Sequence, residues 1–316
     1  MMGGCILVTG GLGYVGGRVA RALLGARHPL TLLGRRPPER VPAWAAAARV
    51  VRCDLADPAA DLAAHLHDVD TIVHLAALNE IDSGRDPVAA LEVNGVASLR
   101  LLRAAATAGV RRFVYFSTAH VYGAPLVGRL DEQSLARPRH PYAITHRVTE
   151  DFVLAAHDSG TLQGLVLRLS NGTGAPADHG TDRWTLLGND LCRQAVRDRA
   201  LVLRSSGLQP RDFIGLDEVA RAVEHFLARD DWGDGLFNLG LGRSALVWDM
   251  VRLIAARCQA VLGFTPIITR PDPQPGEVAP VLDYRVDKLM AAGFVPRDTL
   301  ADEVDATLRL CAEETA

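Results

Sequence analysis

The chain has 316 residues, of which 48% are hydrophobic and 22% are charged, and its formal net charge is −3 at pH 7. This balance is typical of a globular protein, and it provides no basic surface for binding nucleic acid. No uninterrupted apolar run approaches the length of a membrane span, so the sequence predicts no membrane segment.

The first half of the chain alternates short apolar runs with longer stretches rich in alanine and leucine, such as residues 18–24 and 89–108. This alternation is typical of βαβ units. We therefore predict an α/β fold: a Rossmann-like doubly wound parallel sheet with a smaller α/β substrate-binding domain. The predicted strands of the sheet are residues 5–9, 30–33, 50–53, 71–75, 113–116, 164–169 and 236–239.

A glycine-rich turn follows the first predicted strand. Gly10, Gly13 and Gly16 have the Gly-x-x-Gly-x-x-Gly spacing, and a helical stretch begins directly after them. Such a turn uses glycines to bend sharply and to let the backbone approach a pyrophosphate, which the free N–H groups of the helix N-terminus then bind. A plain glycine turn would have the same residues, but the position between a strand and a helix favours a dinucleotide site.

The end of the second predicted strand bears on the choice between NAD and NADP. NAD-binding versions usually end this strand with a carboxylate that accepts hydrogen bonds from the ribose hydroxyls. Here Gly34, Arg35 and Arg36 follow the strand, and no carboxylate is present there. An arginine suits a ribose phosphate, which favours NADP over NAD, although NAD stays an open alternative. The other alternative is that Arg35 and Arg36 are a solvated pair on the surface. After the third strand, Asp54 and Leu55 are expected near the adenine.

The regular alternation ends after Leu169. Residues 171–182 and 271–280 are rich in Gly, Pro, Asp and Asn, and we interpret both as loops. A chain of this length usually exceeds what a single core needs, which predicts a second, smaller domain. The predicted domains are an NAD(P)-binding domain of residues 1–170 and 211–243, and a substrate-binding domain of residues 171–210 and 244–316.

The cysteines at positions 5, 53, 192, 258 and 311 are dispersed, with no Cys-x-x-Cys pair. An odd, dispersed set predicts reduced thiols in a cytoplasmic protein, with neither a disulfide framework nor a metal site. The N-terminus enters a strand-like run at once, so no signal peptide is expected.

Two motifs follow the fifth predicted strand, Phe116-Ser117-Thr118-Ala119-His120-Val121-Tyr122-Gly123 and Pro141-Tyr142-Ala143-Ile144-Thr145-His146. Together with the glycine turn they resemble the extended short-chain dehydrogenases of the NAD-dependent epimerase/dehydratase family, the group that contains UDP-galactose 4-epimerase. The resemblance covers nearly the whole chain. It also includes His74-Leu75-Ala76-Ala77, Asn94, Arg168-Leu169-Ser170-Asn171, Gln209-Pro210-Arg211-Asp212-Phe213-Ile214 and Phe237-Asn238-Leu239-Gly240.

The resemblance implies that Thr118 hydrogen-bonds the reacting oxygen of the substrate and that Tyr142 is the general acid/base, while the nicotinamide exchanges hydride with a sugar carbon. Alone, a threonine after a strand is often a helix cap and a tyrosine after a proline is often a packing residue, so their joint occurrence indicates the function. The implied cofactor contacts are Gly10, Gly13, Tyr14, Val15, Gly16, Leu75, Ala76, Ala77, Asn94, Tyr142 and His146.

His146 departs from the family pattern, which has a lysine four residues after the tyrosine. A phenol with an ordinary pKa of about 10 needs nearby positive charge to act as a base at neutral pH. A histidine can donate a hydrogen bond to a ribose hydroxyl, but it carries full charge only below its pKa of roughly 6.5. Three interpretations stay open: a less activated Tyr142 helped by the nicotinamide's charge, a substrate that needs little base strength, or a protein that only binds nucleotide.

On the substrate side, the resemblance implies a nucleotide-sugar whose diphosphate contacts Asn171 and Arg211. An arginine suits this function because it is always charged and offers a fork of donors to phosphate oxygens. The alternative is that Asp212 holds Arg211 in a structural ion pair. The family's second diphosphate arginine is missing here, and Arg270 is a candidate to replace it.

The residues after Thr118 bear on the reaction. The related 4,6-dehydratases have Asp-Glu there, whereas this chain has Ala119 and His120, so we expect no dehydration and expect both residues to line the substrate pocket. An epimerase and an NADPH-dependent ketoreductase of a nucleotide-linked keto-sugar need the same Thr118 and Tyr142. A non-catalytic nucleotide-binding sensor is the third alternative. The resemblance also implies a homodimer formed by the helices at 89–108 and 148–156.

Overall fold

The structure is a computed structural model that describes residues 4–315. Its strands are β1 Cys5–Thr9, β2 Leu30–Gly34, β3 Arg49–Arg52, β4 Val69–His74, β5 Arg112–Thr118, β6 Gly128–Leu130, β7 Gln163–Leu169, β8 Asn171–Thr173, β9 Ala200–Val202, β10 Pro210–Gly215, β11 Leu236–Leu239, β12 Ser244–Leu246, β13 Ile267–Thr269 and β14 Leu282–Tyr284. Its α-helices are α1 Tyr14–Gly25, α2 Glu80–Arg85, α3 Pro87–Ala90, α4 Ser98–Thr107, α5 Pro141–Asp158, α6 Leu187–Asp198, α7 Leu216–Leu227, α8 Val247–Leu262, α9 Asp287–Ala291 and α10 Leu300–Thr315.

The framework is a parallel sheet of seven strands in the order β3-β2-β1-β4-β5-β7-β11. Each of the seven predicted strands is present, with ends within about two residues of the prediction, and the predicted fold class is confirmed. The chain runs outward from β1 to β3 and then returns to the other side of β1 at β4. At such a reversal a crevice opens outside the carboxyl ends of the strands, where open α/β sheets bind their ligands.

Alternate side chains of each strand pack on opposite faces of the sheet. Ile6 and Val8 of β1 join the core cluster that includes Val19 of α1. Leu7 lies in the cluster on the other face, which includes Leu101 of α4. Because both faces are covered by helices, the strands are apolar almost without interruption, as expected for a parallel sheet.

The segments outside this sheet form smaller units. One three-stranded sheet has the order β12-β10-β8, and two pairs are formed by β13 with β9 and by β14 with β6. The helices α6, α8 and α10 share a third core cluster. The predicted loop at 171–182 begins instead as β8, because its backbone pairs with β10 from Asn171 to Thr173. The loop at 271–280 contains no helix or strand, as predicted.

The domain boundaries stay a prediction, and their outer ends at residues 1–3 and 316 lie outside the described residues. No helix between residues 4 and 315 has the length and apolar character needed to cross a lipid bilayer. The cytoplasmic location also stays a prediction.

The predicted helix at 89–108 is interrupted by a π-helical segment, Leu91–Ala97, between α3 and α4. Widened turns of this kind are frequent near functional sites, because they shift backbone groups out of the regular hydrogen-bond ladder. Here the carbonyl oxygen of Asn94 accepts a hydrogen bond from Thr149 Oγ1 at 2.6 Å. The π-helical segment is thereby bonded directly to α5.

A buried ion pair connects α5 to strand β7 of the sheet. Arg168 of β7 and Glu150 of α5 are 1% and 0% exposed. Arg168 Nη2 donates to Glu150 Oε2 at 2.7 Å, and Arg168 Nε donates to Oε1 at 3.0 Å. Removing one member of such a pair leaves the other charge buried without compensation.

We therefore expect Glu150→Gln to lower the free energy of unfolding by about 3 kcal/mol or more, measured by urea denaturation. The matched control is Asp151→Asn, because the Asp151 carboxylate is 57% exposed in its pair with Arg147. That substitution should change the free energy by less than about 1 kcal/mol. Equal effects of the two substitutions would contradict this account of the buried pair.

Candidate active site

The glycine turn after β1 has a backbone that side chains would disrupt. Gly10 has a φ of +67°. A Cβ on Gly16 would lie 2.2 Å from the carbonyl oxygen of Gly10, and a Cβ on Gly10 would lie 2.8 Å from the backbone nitrogen of Ala76. The turn and the loop after β4 are therefore in close contact, which brings the predicted cofactor residues Leu75 and Ala76 beside Gly10.

Tyr14 and Val15 begin α1, but their side chains face away from the turn. The Tyr14 hydroxyl donates to the carbonyl oxygen of Gly174 at 2.9 Å and lies 3.2 Å from Asn189 Oδ1. Burial raises the pKa of Tyr14 above its ordinary value, so the phenol stays protonated. Val15 packs against the core. The predicted cofactor contact of both residues is thus limited to their backbone at the helix N-terminus.

The two arginines after β2 differ in their surroundings. Arg35 is exposed. Arg36 Nη1 lies 3.4 Å from Asp178 Oδ2, and these side chains are 30% and 25% exposed. Arg36 therefore faces the segment that follows β8. After β3, Asp54 is exposed and Leu55 is buried.

Asn94 is buried in the π-helical segment and its amide is engaged within the protein. Its Oδ1 accepts from the backbone N–H of Leu78 at 2.7 Å, and its Nδ2 donates to Thr145 Oγ1 at 3.0 Å. Asn94 thereby holds the loop after β4 against α5. Ala77, within that loop, is exposed.

Thr118 and Tyr142 converge at the carboxyl end of the sheet. Thr118 ends β5, and its Oγ1 accepts from the backbone N–H of His120 at 3.2 Å. Helix α5 begins at Pro141, where the proline lacks an N–H that the first turn would leave unpaired, and His140 Nδ1 accepts from the backbone N–H of Tyr142 at 3.3 Å. The Thr118 side chain lies close enough to the Tyr142 hydroxyl to lower the pKa of Tyr142.

Two charged residues that the sequence did not indicate act on Tyr142. The pKa of Tyr142 is raised to about 12, mainly by burial and also by Glu80, while Arg183 opposes the shift. Glu80 is the first residue of α2, and its Oε2 lies 3.1 Å from Arg183 Nη2 of the segment between β8 and α6. No motif contains either residue, and only the fold brings them together at the tyrosine.

His146 lies one helical turn after Tyr142 and is 3% exposed. The two rings are in edge contact, with centroids 4.4 Å apart. Burial lowers the pKa of His146 to about 4, and the backbone of Phe116 opposes this shift only in part. The imidazole is therefore neutral at physiological pH and provides a hydrogen-bonding nitrogen, but no charge, to the site.

The predicted diphosphate residues lie next to each other. Arg211 Nη1 donates to Asn171 Oδ1 at 3.2 Å, and Asn171 Nδ2 donates to the carbonyl oxygen of Asp212 at 2.9 Å. The Asp212 carboxylate accepts instead from Ser170 Oγ and from the backbone N–H of Leu241. The alternative interpretation, an ion pair of Arg211 with Asp212, is therefore wrong for the described part of the chain.

The remaining predicted substrate residues differ in how deeply they are buried. Ala119 is 2% exposed and packs in the core, so its side chain is turned away from solvent. His120 is half-buried; burial and the charge of Arg211 lower its pKa, which Glu80 opposes. Arg270 lies over the Trp248 ring at 3.8 Å and donates from Nη1 to the carbonyl oxygen of Ser206.

Three buried polar atoms around this region have no hydrogen-bond partner among residues 4–315: Ser117 Oγ, His146 Nε2 and Arg211 Nε. Buried polar groups are usually paired, so unpaired ones indicate a missing ligand or water. Together with a glycine turn that leaves no room for Cβ atoms, these donors and acceptors fit a bound dinucleotide and a second polar ligand.

Comparison with known proteins gives the same picture. The model of the NAD dependent epimerase/dehydratase family matches residues 6–240. A UDP-glucose 4-epimerase from Azospirillum brasilense is 31% identical over 322 residues, which cover 96% of this chain and 90% of that protein. The structure of a UDP-N-acetylglucosamine 4-epimerase from Methanobrevibacter ruminantium M1 in complex with UDP-N-acetylmuramic acid has a TM-score of 0.84 at 25% identity, covering 99% of this chain and 100% of that one. MoeE5 in complex with UDP-glucuronic acid and NAD has a TM-score of 0.81 at 27% identity, covering 98% and 100%.

Removing either of the two charges beside Tyr142 should shift its pKa, and the two shifts should have opposite signs. We expect Glu80→Gln to lower the pKa of Tyr142, since an anion beside the phenolate is removed, and Arg183→Gln to raise it, since a cation is removed. Carbon-13 NMR of tyrosines labelled at Cζ measures both shifts, with Tyr142→Phe assigning the signal. Arg193→Gln is the control, because Arg193 stacks on Trp184 instead. Shifts of the same sign in the two variants would contradict the prediction.

Proposed function

The chain belongs to the NAD-dependent epimerase/dehydratase family, and from this membership we propose that it epimerises a nucleotide-sugar through a keto-sugar intermediate, with Tyr142 as the acid/base. The observation that carries the proposal is the convergence of Thr118, at the end of β5, and Tyr142, at the start of α5, close enough for Thr118 to lower the pKa of Tyr142. In this arrangement one hydroxyl can orient a sugar oxygen while the other exchanges its proton.

The proposed roles follow from the hydrogen-bonding capacity of each group. Tyr142 Oη takes the proton of the reacting sugar hydroxyl as the carbonyl forms, and returns it after the keto-sugar has presented its other face. Thr118 donates a hydrogen bond to the same oxygen. When bound, the nicotinamide accepts and returns the hydride. Asn171 and Arg211 are proposed to hold the diphosphate, with the unpaired Arg211 Nε available as a donor.

The electrostatics of Tyr142 imply an alkaline pH dependence. Burial raises its pKa to about 12, so the phenolate is rare at neutral pH and its fraction grows as the pH rises. His146 is neutral, which leaves Arg183 as the protein cation that favours the phenolate. We propose that the less activated tyrosine, helped by the positive charge of the oxidised nicotinamide, is the correct interpretation of the missing lysine.

The test is to incubate the protein with NAD⁺ or NADP⁺ and a panel of UDP- and dTDP-sugars, and to identify products by NMR. Isomerised sugar with no net change in the cofactor is the expected outcome. Tyr142→Phe should lower the rate at least about 100-fold, because it removes the acid/base. The control is Tyr284→Phe, which removes a buried hydroxyl that donates to the carbonyl oxygen of Arg168.

Two other outcomes of the same experiment would contradict the epimerase. Net oxidation of NADPH with consumption of a keto-sugar would identify the ketoreductase, which the arginines after β2 favour because a reductase needs a releasable NADPH. Cofactor binding without any turnover of sugar would identify a nucleotide-binding sensor.

For the cofactor, we propose a preference for NADP, because Arg36 is a half-buried cation at the end of β2 where a carboxylate would favour NAD. We expect NADPH to bind more tightly than NADH. Arg36→Gln should weaken NADPH binding about tenfold and leave NADH unchanged, as measured by fluorescence titration. The control is Arg40→Gln, an exposed arginine of the following turn. Tighter binding of NADH to the unmodified protein would overturn the preference.

For the assembly, we propose a homodimer through a face formed by α2, α3, the π-helical segment and α5. This helical face carries large apolar side chains that are 42% to 68% exposed: Ile81, Val88, Leu91, Val96, Ile144 and Phe152. Contiguous exposed apolar area of this kind usually marks a contact with another protein surface.

We expect the double substitution Val88→Glu, Phe152→Glu to convert the dimer into a monomer, because it places two charges in an apolar contact. Light scattering after size-exclusion chromatography measures the mass. Leu135→Glu is the control, since Leu135 is 84% exposed outside the helical face. A monomeric unmodified protein at micromolar concentration would contradict the proposal.

A further inference from the structure

Four aromatic rings lie in sequence through the interior beneath the active site. The ring centroids of His74 and Tyr115 are 5.7 Å apart, those of Tyr115 and His146 are 5.7 Å apart, and those of His146 and Tyr142 are 4.4 Å apart. His74, Tyr115 and His146 are 1%, 2% and 3% exposed. This ring column connects β4 and β5 with the first turns of α5, and it ends at the proposed acid/base.

The first ring of the column has both nitrogens occupied. His74 Nδ1 lies 2.6 Å from Thr9 Oγ1, and His74 Nε2 lies 2.7 Å from Ser98 Oγ. Burial lowers the pKa of His74 to about 3, so this imidazole is neutral. His74 is therefore fixed in position and offers no hydrogen-bonding atom to a ligand.

The third ring differs, because only one of its nitrogens has a partner. His146 Nδ1 lies 2.6 Å from Tyr115 Oη, whereas Nε2 is buried and has no partner within residues 4–315. A neutral imidazole carries one N–H, so the proton at the Nδ1 contact determines what Nε2 can do. If Tyr115 donates to Nδ1, then Nε2 carries the proton and is a donor.

The surroundings of Tyr115 favour this arrangement. Burial raises the pKa of Tyr115 well above its ordinary value, so the phenol keeps its proton and has it available to donate. Thr149 also contacts this hydroxyl, but it donates its own proton to the carbonyl oxygen of Asn94. The Tyr115 hydroxyl makes its short contact with His146 Nδ1. In a neutral imidazole, the ring nitrogen without a proton is a good hydrogen-bond acceptor.

We propose that Tyr115 is a positioning residue that donates to His146 Nδ1 and thereby fixes the neutral imidazole with its Nε2–H directed into the cofactor cleft. The imidazole then replaces the hydrogen bond of the family's lysine but not its charge. The inference rests on the proposed function only in taking the ligand of the cleft to be a nicotinamide dinucleotide. It assigns a function to Tyr115, which belongs to no sequence motif.

The test uses the full chain labelled with nitrogen-15 in its histidines, with and without Tyr115→Phe, which removes only the hydroxyl. NMR of the imidazole nitrogens reports the tautomer of His146, assigned with His146→Gln. Calorimetric titration with NAD⁺ and NADP⁺ reports the affinity. Tyr284→Phe is the control, since it also removes a buried tyrosine hydroxyl but leaves the ring column untouched.

We expect the ligand-free protein to have His146 as the Nε2–H tautomer, unchanged between about pH 5 and about pH 8. In Tyr115→Phe both tautomers should be populated, and the dinucleotide Kd should rise about tenfold. Tyr284→Phe should change neither the tautomer nor the Kd.

Three results would overturn the inference: a proton on Nδ1 in the unmodified protein, a His146 that becomes charged near its ordinary pKa, or a Tyr115→Phe variant with unchanged tautomer and Kd. If Tyr115→Phe does not fold, as judged by circular dichroism, the tautomer of His146 in the unmodified protein alone decides whether the inference holds. If no dinucleotide binds the unmodified protein, the proposed function fails, whereas the tautomer of the ligand-free protein still decides this inference.

Discussion

Burial of the groups beneath Tyr142 constrains the chemistry of the whole site. A buried group without a charged partner pays for ionisation in lost hydration, so phenols keep their protons and imidazoles stay neutral. Tyr142, Tyr115, His146 and His74 all obey this rule. The floor of the site therefore consists of neutral hydrogen-bonding groups. The charges that act on Tyr142 come from the rim, where side chains such as Arg183 are partly hydrated.

The sequence predicted those parts of the protein that depend on local patterns. Apolar runs separated by helical stretches located the seven strands, because a parallel sheet covered on both faces needs continuous apolar strands. The glycine turn was recognisable because its backbone excludes side chains, as Gly16 illustrates. The family resemblance assigned Asn171 and Arg211 to the same diphosphate, and the structure brings the two residues into contact.

What the sequence did not indicate depends on contacts between distant segments. Glu80 and Arg183 are about 100 residues apart and belong to no motif, so only the folded chain reveals their effect on Tyr142. Strand β8 was hidden because its residues are typical of loops, and its pairing partner lies elsewhere in the sequence. For Asn94, the resemblance implied a cofactor contact, whereas the engagement of its amide with the loop after β4 required coordinates.

The contact of Arg36 with Asp178 joins the end of β2 to the segment after β8. A guanidinium that binds a ribose phosphate has fewer donors left for a carboxylate, so an NADP molecule on Arg36 would release Asp178 and loosen that segment. Thermodynamic reciprocity requires the converse: whatever pulls the segment away from Arg36 makes the cation more available to the phosphate. If NADP binds Arg36 as proposed, occupancy of the nucleotide site and the conformation of the segment after β8 would be energetically coupled through this one side chain.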